Sequence, residues 1–414
     1  MFHLKYYKIG VVYLQHLNFN KGSEKMFDIK YIDNDISKGV LIDWKKVKKE
    51  FKKLNIPNFV HTPIDYNFNK NAYFIELSER SVGKTTNWLL LGLELFKNYG
   101  ITTCYVRQND MMIAPKNIKR LFDTIIEYDY ISKIFNGEYN NIKYDNQKWY
   151  VVKTNDTGEV EKLINAPFMQ NLCINKQEMY KSTFNNPKAD LIIFDEFISK
   201  TYLPNEFTEF MQLIKTIQRE RESVKIVCLA NTIDIYNQYL HEFCIFDEVQ
   251  KMNVGEEKEI TTELGTNIHI ALISPNKNLS AKKKKSNFLY YGFKNDKLNS
   301  IRGGGWDMPT IQHIPDIEFE NVINNIYIKH NNKLLKLDVV LNRYGFCVYC
   351  HWASYTYKDS IIYTLDDCID TRFVFGFGND FLSKKILKIV SENKIFFALN
   401  DCKAFFDNYL KLCN

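Results

Sequence analysis

The chain has 414 residues, of which 45% are hydrophobic, 15% aromatic and 25% charged. This composition is typical of a protein with sizeable cores and excludes a mainly disordered or collagen-like chain, and at roughly 150 residues per domain the length predicts two to three domains. The formal net charge of +6 excludes little by itself.

The apolar stretches are too short to cross a bilayer. The longest helix-like stretch, Trp88 to Phe96, is interrupted by Glu94 and falls far below the ~20 residues that a transmembrane helix needs. The N-terminus has no long apolar run, and the nine cysteines are scattered and odd in number, unlike a disulfide framework. We therefore expect a cytoplasmic protein that does not span a membrane.

Shifts in composition divide the chain into four segments. Residues 1–70 mix short apolar runs with turns and a lysine-rich amphipathic helix, which predicts an N-terminal arm or subdomain. Residues 71–275 alternate apolar strands with helices, and residues 276–305 form a basic linker that is either a solvated hinge or a strap contacting phosphates. Residues 306–414 predict a smaller α+β domain.

The central segment predicts an α/β domain with a parallel sheet, because near-continuous apolar strands separated by helices are typical of sheets covered on both faces. The predicted strands are Tyr73–Leu77, Thr102–Arg107, Leu191–Asp195, Lys225–Ala230 and His269–Ile273.

A phosphate-binding loop follows the first of these strands. The run from Ser78 to Thr85 matches G-x-x-x-x-G-K-[ST] except at its first position, where Ser78 replaces glycine. Such a loop wraps phosphates with backbone N–H groups, while Lys84 reaches the β and γ oxygens and the Thr85 hydroxyl binds Mg²⁺. The predicted nucleotide-binding residues are Ser78, Glu79, Arg80, Ser81, Val82, Gly83, Lys84, Thr85 and Thr86.

The strand Leu191–Asp195 ends in two acids, as in a Walker B motif. Asp195 is the predicted Mg²⁺ residue, and Glu196 is the predicted carboxylate that polarises the attacking water. The alternative is that both acids cap the next helix. A glutamate here marks P-loop ATPases with an additional strand between the P-loop strand and the Walker B strand, and Thr102–Arg107 is predicted to be that strand.

Polar residues surround the next predicted strand. Asn231 follows its end, where it reaches the ligand-binding edge of a parallel sheet and is a candidate sensor of the γ-phosphate. Arg219 and Arg221 precede the strand and are candidates for an arginine finger that acts on a neighbouring subunit. Alternatively, they pair with Glu220 and Glu222 on a solvated face.

A hairpin is predicted between the second and third strands. Two strand-like runs flank the turn Asn155-Asp-Thr-Gly158. Lys143, Lys148 and Lys153 lie near it and are candidate contacts to the DNA phosphate backbone, or else ordinary exposed lysines.

Together these motifs resemble those of the DNA-packaging ATPases (encapsidation proteins) of small short-tailed bacteriophages, of the terminase/FtsK-like kind. The resemblance extends over roughly residues 72–275 and rests on Phe74 to Thr85, Leu191 to Phe197, Tyr202 to Glu206, Arg219-x-Arg221 and Val227 to Asn231. Two features depart from the family pattern, namely Ser78 in the loop and a long N-terminal region.

The resemblance implies an ATP- and Mg²⁺-dependent motor that acts as a homo-oligomeric ring. It implies double-stranded DNA, a portal and a prohead as partners and a place in the host cytoplasm, transiently at the portal vertex, and it leaves open a packaging RNA. It assigns Glu196 as the catalytic carboxylate and Arg219 as the likelier finger of the two arginines. It also implies a C-terminal domain resembling an RNase H-like nuclease that has lost its catalytic acids.

The C-terminal sequence favours a domain that does not cleave DNA. Its candidate opening strands, Asn325–Lys329 and Phe346–Cys350, contain no acid, whereas two-metal nucleases need one there. The other acids of this segment have structural explanations. Asp338 ends an apolar and basic run, Asp380 is a predicted helix cap, and a predicted turn contains Asp366, Asp367 and Asp370. The predicted basic face consists of Lys384, Lys385, Lys388 and Lys394.

Two other functions stay open at this point. One is a nuclease-competent large terminase subunit that also cuts DNA. The other is a scaffold that binds nucleotide through its Ser78-containing loop without turnover.

Overall fold

The structure is a computed structural model, and it describes residues 29–57, 61–78, 82–198, 205–231, 238–274, 321–342, 345–366 and 371–413. The predictions for residues 1–28, for Glu79, Arg80 and Ser81 and for the linker at 276–305 lie outside the described residues, as do Asp367 and Asp370. No helix in the described ranges combines the length and the apolar character that crossing a membrane requires.

A ten-stranded sheet forms the centre of the first half of the described chain. Its strands are β1 (Tyr73–Ser78), β2 (Thr103–Arg107), β3 (Asn141–Asp145), β4 (Lys148–Thr154), β5 (Val160–Leu163), β6 (Met169–Cys173), β7 (Leu191–Asp195), β8 (Lys225–Asn231), β9 (Glu257–Thr261) and β10 (Asn267–Ile273). Their spatial order is β3-β4-β6-β2-β7-β8-β1-β10-β9, with β5 paired to β4. The six strands from β6 to β10 in this order pair in parallel, which confirms the predicted α/β fold with a parallel sheet.

The position predicted for Thr102–Arg107 is wrong. The strand between the P-loop strand β1 and the Walker B strand β7 is β8, with Ser78 opposite Asn231 and Asp195 opposite Leu229. The run at residues 103–107 instead pairs with the outer side of β7. Strand order depends on long-range pairing, and both arrangements satisfy the same pattern of apolar runs.

Helices cover both faces of this sheet. They are α1 (Trp44–Lys52), α2 (Lys84–Tyr99), α3 (Pro115–Ile118), α4 (Asp123–Glu127), α5 (Tyr130–Ile134), α6 (Gln177–Thr183), α7 (Glu206–Gln218), α8 (Gln238–Glu242) and α9 (Phe246–Lys251). Gly92 of α2 lies against Leu191 of β7, whereas Phe210 of α7 packs on Phe194 with ring centroids 4.6 Å apart. Residues three apart in a strand point to opposite faces, so α2 and α7 lie on opposite sides.

The described part of the N-terminal region packs against the same core. Asp43 caps α1 by accepting hydrogen bonds from two backbone N–H groups, and Val47 and Phe51 on the inner face of this helix are buried. Trp44 stacks on Phe68 with ring centroids 4.1 Å apart. The boundary at residue 70 stays a prediction, but residues on both sides of it share one hydrophobic core.

The C-terminal segment forms a second, six-stranded sheet. Its elements are β11 (Val322–His330), β12 (Lys333–Asn342), β13 (Gly345–Trp352), β14 (Ile361–Thr364), β15 (Phe373–Phe375), α10 (Phe381–Ser391), β16 (Ile395–Phe397) and α11 (Asn400–Cys413). The order is β15-β14-β11-β12-β13-β16, antiparallel from β11 to β13 and parallel elsewhere. Asp380 accepts hydrogen bonds from the backbone N–H groups of Leu382 and Ser383, which confirms the predicted cap.

The two sheets have separate cores but contact each other. The ammonium of Lys333, at the start of β12, lies 4.3 Å from the ring centroid of Phe246 in α9, and Phe246 in turn stacks on His241 of α8. Burial, with the charge of Lys333, lowers the pKa of His241 to about 4. A neutral imidazole therefore lies beneath the contact.

Candidate functional site

A pocket of about 330 Å³ opens where the carboxyl ends of β1, β7 and β8 meet. It is large enough for a small ligand. Its lining consists of Val82, Gly83, Lys84, Thr85, Thr86, Asp195, Glu196, Ala230 and Asn231. Residues from three separate sequence motifs thus come together, as expected when parallel strands end at one edge of a sheet.

The loop between β1 and α2 has the backbone that a phosphate-binding loop needs. Gly83 has a φ of 86°, a left-handed conformation that favours glycine, and α2 begins at the next residue. The N-terminus of this 16-residue helix therefore points into the pocket, which favours an anion there. Lys84 is buried, and its ammonium donates a hydrogen bond to the Ser78 hydroxyl. The serine in place of the motif's first glycine therefore contacts the loop lysine.

The segment before β1 holds this loop from behind. The His61 backbone N–H donates to the Val82 carbonyl at 3.2 Å, and the Asn87 side chain donates to the His61 carbonyl. The His61 ring lies 3.2 Å from the buried carboxylate of Glu76, which also accepts a hydrogen bond from Trp88 at 2.9 Å. The N-terminal segment thus contributes to the shape of the pocket.

Asp195 lies opposite the loop hydroxyl. The Thr85 hydroxyl donates to its Oδ2 at 3.1 Å, and the buried Tyr105 hydroxyl donates to the same oxygen at 2.7 Å. Burial raises the pKa of Asp195, while the nearby Arg107 opposes the shift. Hydroxyl and carboxylate oxygens are the donors that Mg²⁺ prefers, so Thr85 and Asp195 fit the predicted metal.

Glu196 is held by an arginine that the sequence reasoning did not identify. Arg107 Nη2 donates to Glu196 Oε2 at 2.5 Å, and Arg107 Nη1 lies 3.8 Å from Asp195 Oδ2. Glu196 itself has a φ of 55°, an uncommon conformation for a residue other than glycine that persists when the surroundings enforce it. One guanidinium therefore lies within ion-pair distance of both acids of the predicted Walker B motif.

A usable signal for Arg107 was present in the sequence. Arg107 is the last residue of a buried strand, as Asn231 is, and Gln108 follows it. Polar groups at the end of a parallel strand reach the ligand-binding edge. The missing information was that β2 is the neighbour of β7.

The two finger candidates differ. Arg219 ends α7, about 20 Å along the helix from Glu206 at ~1.5 Å per residue. Its side chain is exposed and donates to the Phe184 carbonyl at 3.1 Å, so it does not contact this chain's own pocket. It stays a candidate for a neighbour's site.

The prediction for Arg221 is wrong. Arg221 is only 4% exposed, and its guanidinium donates to Asp190 at 2.7 Å and to the carbonyls of Ala189 and Ile217. Asp190 precedes β7, about 17 Å from the pocket edge at ~3.3 Å per strand residue. The arginine is unavailable as a finger because it satisfies a buried carboxylate, and the suggested pairing with Glu220 or Glu222 is replaced by this one.

The predicted hairpin is present. β4 and β5 are antiparallel and flank the turn at 155–158, with Lys153 exposed and 3.9 Å from Glu161. Lys143 and Lys148 lie on β3 and β4, which form a second hairpin. All three lysines lie at the outer end of the sheet, away from the pocket lining, and their role in DNA binding stays a prediction.

The C-terminal carboxylates do not form a metal site among the described residues. β11, the first strand of the second sheet, contains no acid. Asp338 on β12 is buried and pairs with Lys336 and His351, each at 2.9 Å. Burial raises the pKa of Asp338, but these hydrogen bonds outweigh burial and hold it below its ordinary value. Groups of three or more potential metal ligands are absent from the described ranges.

The parallel sheet, the loop at the N-terminus of α2 and the paired acids at the end of β7 define a protein of the P-loop nucleotide-binding class. Within that class, the chain belongs to the Podovirus DNA encapsidation protein (Gp16) family, whose model matches residues 74–288, slightly more than half of the sequence.

Relatives in Bacillus phages share part of the chain. A DNA packaging protein of Bacillus phage B103 is 24% identical over 232 residues, covering 55% of this chain and 64% of that protein. The DNA packaging protein of Bacillus phage phi29 is 36% identical over 69 residues, or 16% of this chain and 21% of the relative. The chain thus matches less than two thirds of the length of these relatives.

Solved structures share the fold. A structure described as the Phi-28 gp11 DNA packaging motor has a TM-score of 0.52 and 16% sequence identity, covering 86% of this chain and 99% of its own. The bacteriophage Phi-29 genome packaging motor assembly has a TM-score of 0.51 at the same identity and covers 86% of this chain. These likenesses do not confirm an RNase H-like C-terminal domain, which stays a prediction.

Proposed function

We propose that this chain hydrolyses ATP to drive double-stranded viral DNA into a prohead. The observation that carries the proposal is the meeting of Lys84, Thr85, Asp195, Glu196 and Asn231 in one pocket. This is the set of groups that phosphoryl transfer requires: a cation and a helix N-terminus for the phosphates, oxygens for Mg²⁺, and a carboxylate for the attacking water. Family membership and relatives named DNA packaging proteins support the coupling of hydrolysis to DNA.

Each residue of the pocket would have a distinct role in ATP hydrolysis. The loop from Val82 to Thr86 binds the phosphates, and the Lys84 ammonium exchanges its Ser78 contact for phosphate oxygens. Glu196 orients and polarises the attacking water while Arg107 holds its carboxylate in place. Asn231, opposite Ser78 in the β1–β8 ladder, lies where a side-chain amide can sense the γ-phosphate. Mg²⁺ held by Thr85 and Asp195 would supply charge neutralisation on the phosphates.

The partners follow from the same proposal. The chain would act as a homo-oligomeric ring at the portal of a prohead in the host cytoplasm, with Arg219 reaching the neighbour's nucleotide and Lys143, Lys148 and Lys153 near the DNA. Membership of a DNA encapsidation family and the fold likeness to packaging motor assemblies support a place in such a motor, and the exposed position of Arg219 is compatible with action on a neighbour.

ATPase assays of the full chain, with and without double-stranded DNA, test the proposal. Lys84→Ala should abolish nucleotide binding, and Glu196→Gln should bind ATP without turnover, since the phosphate site remains while the water is no longer polarised. Lys97→Ala, at the other end of α2, is the matched lysine control and should behave as wild type. A wild-type chain that binds ATP without hydrolysing it would favour the scaffold alternative.

A further inference from the structure

One buried carboxylate, Glu206, is not part of the pocket lining. Glu206 is the first residue of α7 and is 1% exposed. Its Oε2 accepts a hydrogen bond from Gln108 Nε2 at 2.7 Å, and its Oε1 accepts one from the Tyr239 hydroxyl, also at 2.7 Å. The two donors are 98 and 33 residues away along the chain, so the carboxylate links three elements.

Helix geometry alone does not explain this arrangement. An acid in the first helical turn is favoured by the helix dipole, but that effect operates equally well on an exposed side chain. Burying a carboxylate is costly unless hydrogen bonds compensate for lost water, and here each oxygen has a donor from another element. Glu206 is therefore placed to hold Gln108 and Tyr239 at fixed positions.

Gln108 connects Glu206 to Arg107, the first member of the Arg107–Glu196 pair. It is the residue after Arg107, is 3% exposed, and its own carbonyl accepts a hydrogen bond from the Asn175 backbone at 3.2 Å. With its side chain and its backbone both engaged, the end of β2 has little freedom to shift. The direction of the Arg107 side chain depends on that end.

Tyr239 connects Glu206 to Glu196, the second member of the Arg107–Glu196 pair. Its ring centroid lies 5.7 Å from that of Phe194 and 5.4 Å from that of Phe197, both in edge-on packing. These phenylalanines flank Asp195 and Glu196 on either side in the sequence. The tyrosine ring therefore supports the backbone that keeps Glu196 in its left-handed conformation.

We propose that Glu206 is a positioning residue for the reaction: by binding Gln108 and Tyr239 together, it sets the relative placement of Arg107 and Glu196. The inference rests on the proposed function, because its effect is exerted on the hydrolytic step. A displacement of about 1 Å at a catalytic group costs up to about 100-fold in rate. Loss of this link should thus reduce kcat by about 10- to 100-fold while nucleotide binding, which depends on the loop between β1 and α2, is retained.

Tyr239→Phe is the decisive variant, because it removes only the hydroxyl and keeps the ring packing. The matched control is Tyr99→Phe, which removes a hydroxyl hydrogen-bonded to Asp43 at the opposite end of α2 from the pocket. For the full-length chains we would measure kcat, the Kd of a fluorescent ATP analogue and the Tm. The inference expects kcat of Tyr239→Phe to fall at least tenfold with Kd unchanged, and Tyr99→Phe to match wild type. Equal kcat in both variants would overturn it.

Two further measurements separate positioning from general stability. Glu206→Gln keeps the shape and can still bond both neighbours if the Gln108 amide turns, so its kcat should lie above that of Glu206→Ala. In an Arg107→Ala background, Tyr239→Phe should cause no further loss of kcat, because the Arg107–Glu196 contact that the link is proposed to set is already absent. A full multiplicative loss there would contradict the inference.

The failure of this inference is distinguishable from failure of the proposed function. A wild-type chain without ATPase activity would contradict the proposed function. A wild-type chain with activity, together with an unaffected Tyr239→Phe variant, would contradict only the role of Glu206. If Glu206→Ala does not fold, Tyr239→Phe and the double variant still decide.

Discussion

Arg107 lies between the two acids at the end of β7, 2.5 Å from Glu196 Oε2 and 3.8 Å from Asp195 Oδ2. Two adjacent carboxylates repel each other, and a guanidinium between them offsets that repulsion. The same contact fixes the direction of Glu196, whose side chain is otherwise half exposed to solvent. The pair therefore joins the strand next to the Walker B strand to the predicted catalytic carboxylate.

We expect Arg107→Ala to lower kcat by about 10-fold or more while ATP still binds, because Glu196 then loses the donor that orients it. The steady-state ATPase rate and the Kd of an ATP analogue check this. Arg120→Ala, an exposed arginine in the described chain, is the matched control. In the double variant with Glu196→Gln, the rate should be no lower than in Glu196→Gln alone. An Arg107→Ala chain with wild-type kcat would refute the orienting role.

Arg219 is expected to act on a neighbouring subunit. A chain carrying Arg219→Ala and a chain carrying Glu196→Gln should each be inactive alone. Mixed in assembled rings, they should recover part of the ATPase activity, because some interfaces then combine a normal arginine with a normal glutamate. Native mass spectrometry would verify that mixed rings have formed. Mixed rings without recovered activity would argue against a finger in trans.

Arg221→Ala should affect stability rather than catalysis. It leaves the buried Asp190 carboxylate without its arginine, and breaking a buried ion pair from one side costs about 3–5 kcal/mol. Chemical unfolding should therefore show a large loss of unfolding free energy, with kcat per folded molecule close to wild type. Arg219→Ala on the exposed surface is the control for stability. A variant of Arg221 that folds normally yet loses kcat would restore it as a finger candidate.

Glu94 should make the stability of the protein decrease as the pH rises. It is 2% exposed on α2, and burial raises its pKa from 4.5 to about 7, opposed by Lys97 and the Asn98 side chain. Between these values the folded chain keeps a proton that the unfolded chain releases, so the stabilisation is complete below pH 4.5 and is lost as the pH rises through about 7. The total is roughly 3 kcal/mol.

Glu94→Gln should remove this pH dependence, because an amide does not titrate. Urea unfolding at several pH values between 5 and 8 would measure the free energy of unfolding. The control is Glu127→Gln, at an exposed position on α4. At pH 8 the Glu94→Gln variant should be more stable than wild type. Parallel stability curves for the two proteins would disprove the assignment.

The C-terminal domain is expected not to cleave DNA. The first of its described strands, β11, has no acid, and Asp338 is already paired with Lys336 and His351. Incubating the full chain with supercoiled plasmid and Mg²⁺ or Mn²⁺ should leave the plasmid intact. Metal-dependent nicking that disappears in Asp338→Asn or Asp366→Asn would favour the nuclease-competent terminase instead. Lys384, Lys385, Lys388 and Lys394, in and beside α10, remain the predicted basic face.

Much of the pocket was predictable from sequence because its residues follow strand ends. Asp195 and Asn231 end apolar strands, Lys84 follows the loop after a third, and parallel strands present their carboxyl ends at a single edge. That rule places the three residues at the same edge of the sheet, and the neighbouring positions of β7, β8 and β1 bring them into one pocket. The α/β class and the hairpin at 155–158 were predictable for a different reason, since both depend on local periodicity and turn residues.

The tertiary structure decided which polar residues meet. Arg107 reaches Glu196 only because β2 pairs with β7. Arg221 is buried only because the chain after α7 lies next to Asp190, at the edge of the sheet opposite the pocket. In the sequence, each arginine is a charged residue at or near one end of an apolar strand, which predicts an exposed side chain. The sequence by itself therefore determined that cations flank the sheet. Their different roles arise from long-range pairing, in which burial converts one arginine into a structural ion pair and places the other beside the acids of the pocket.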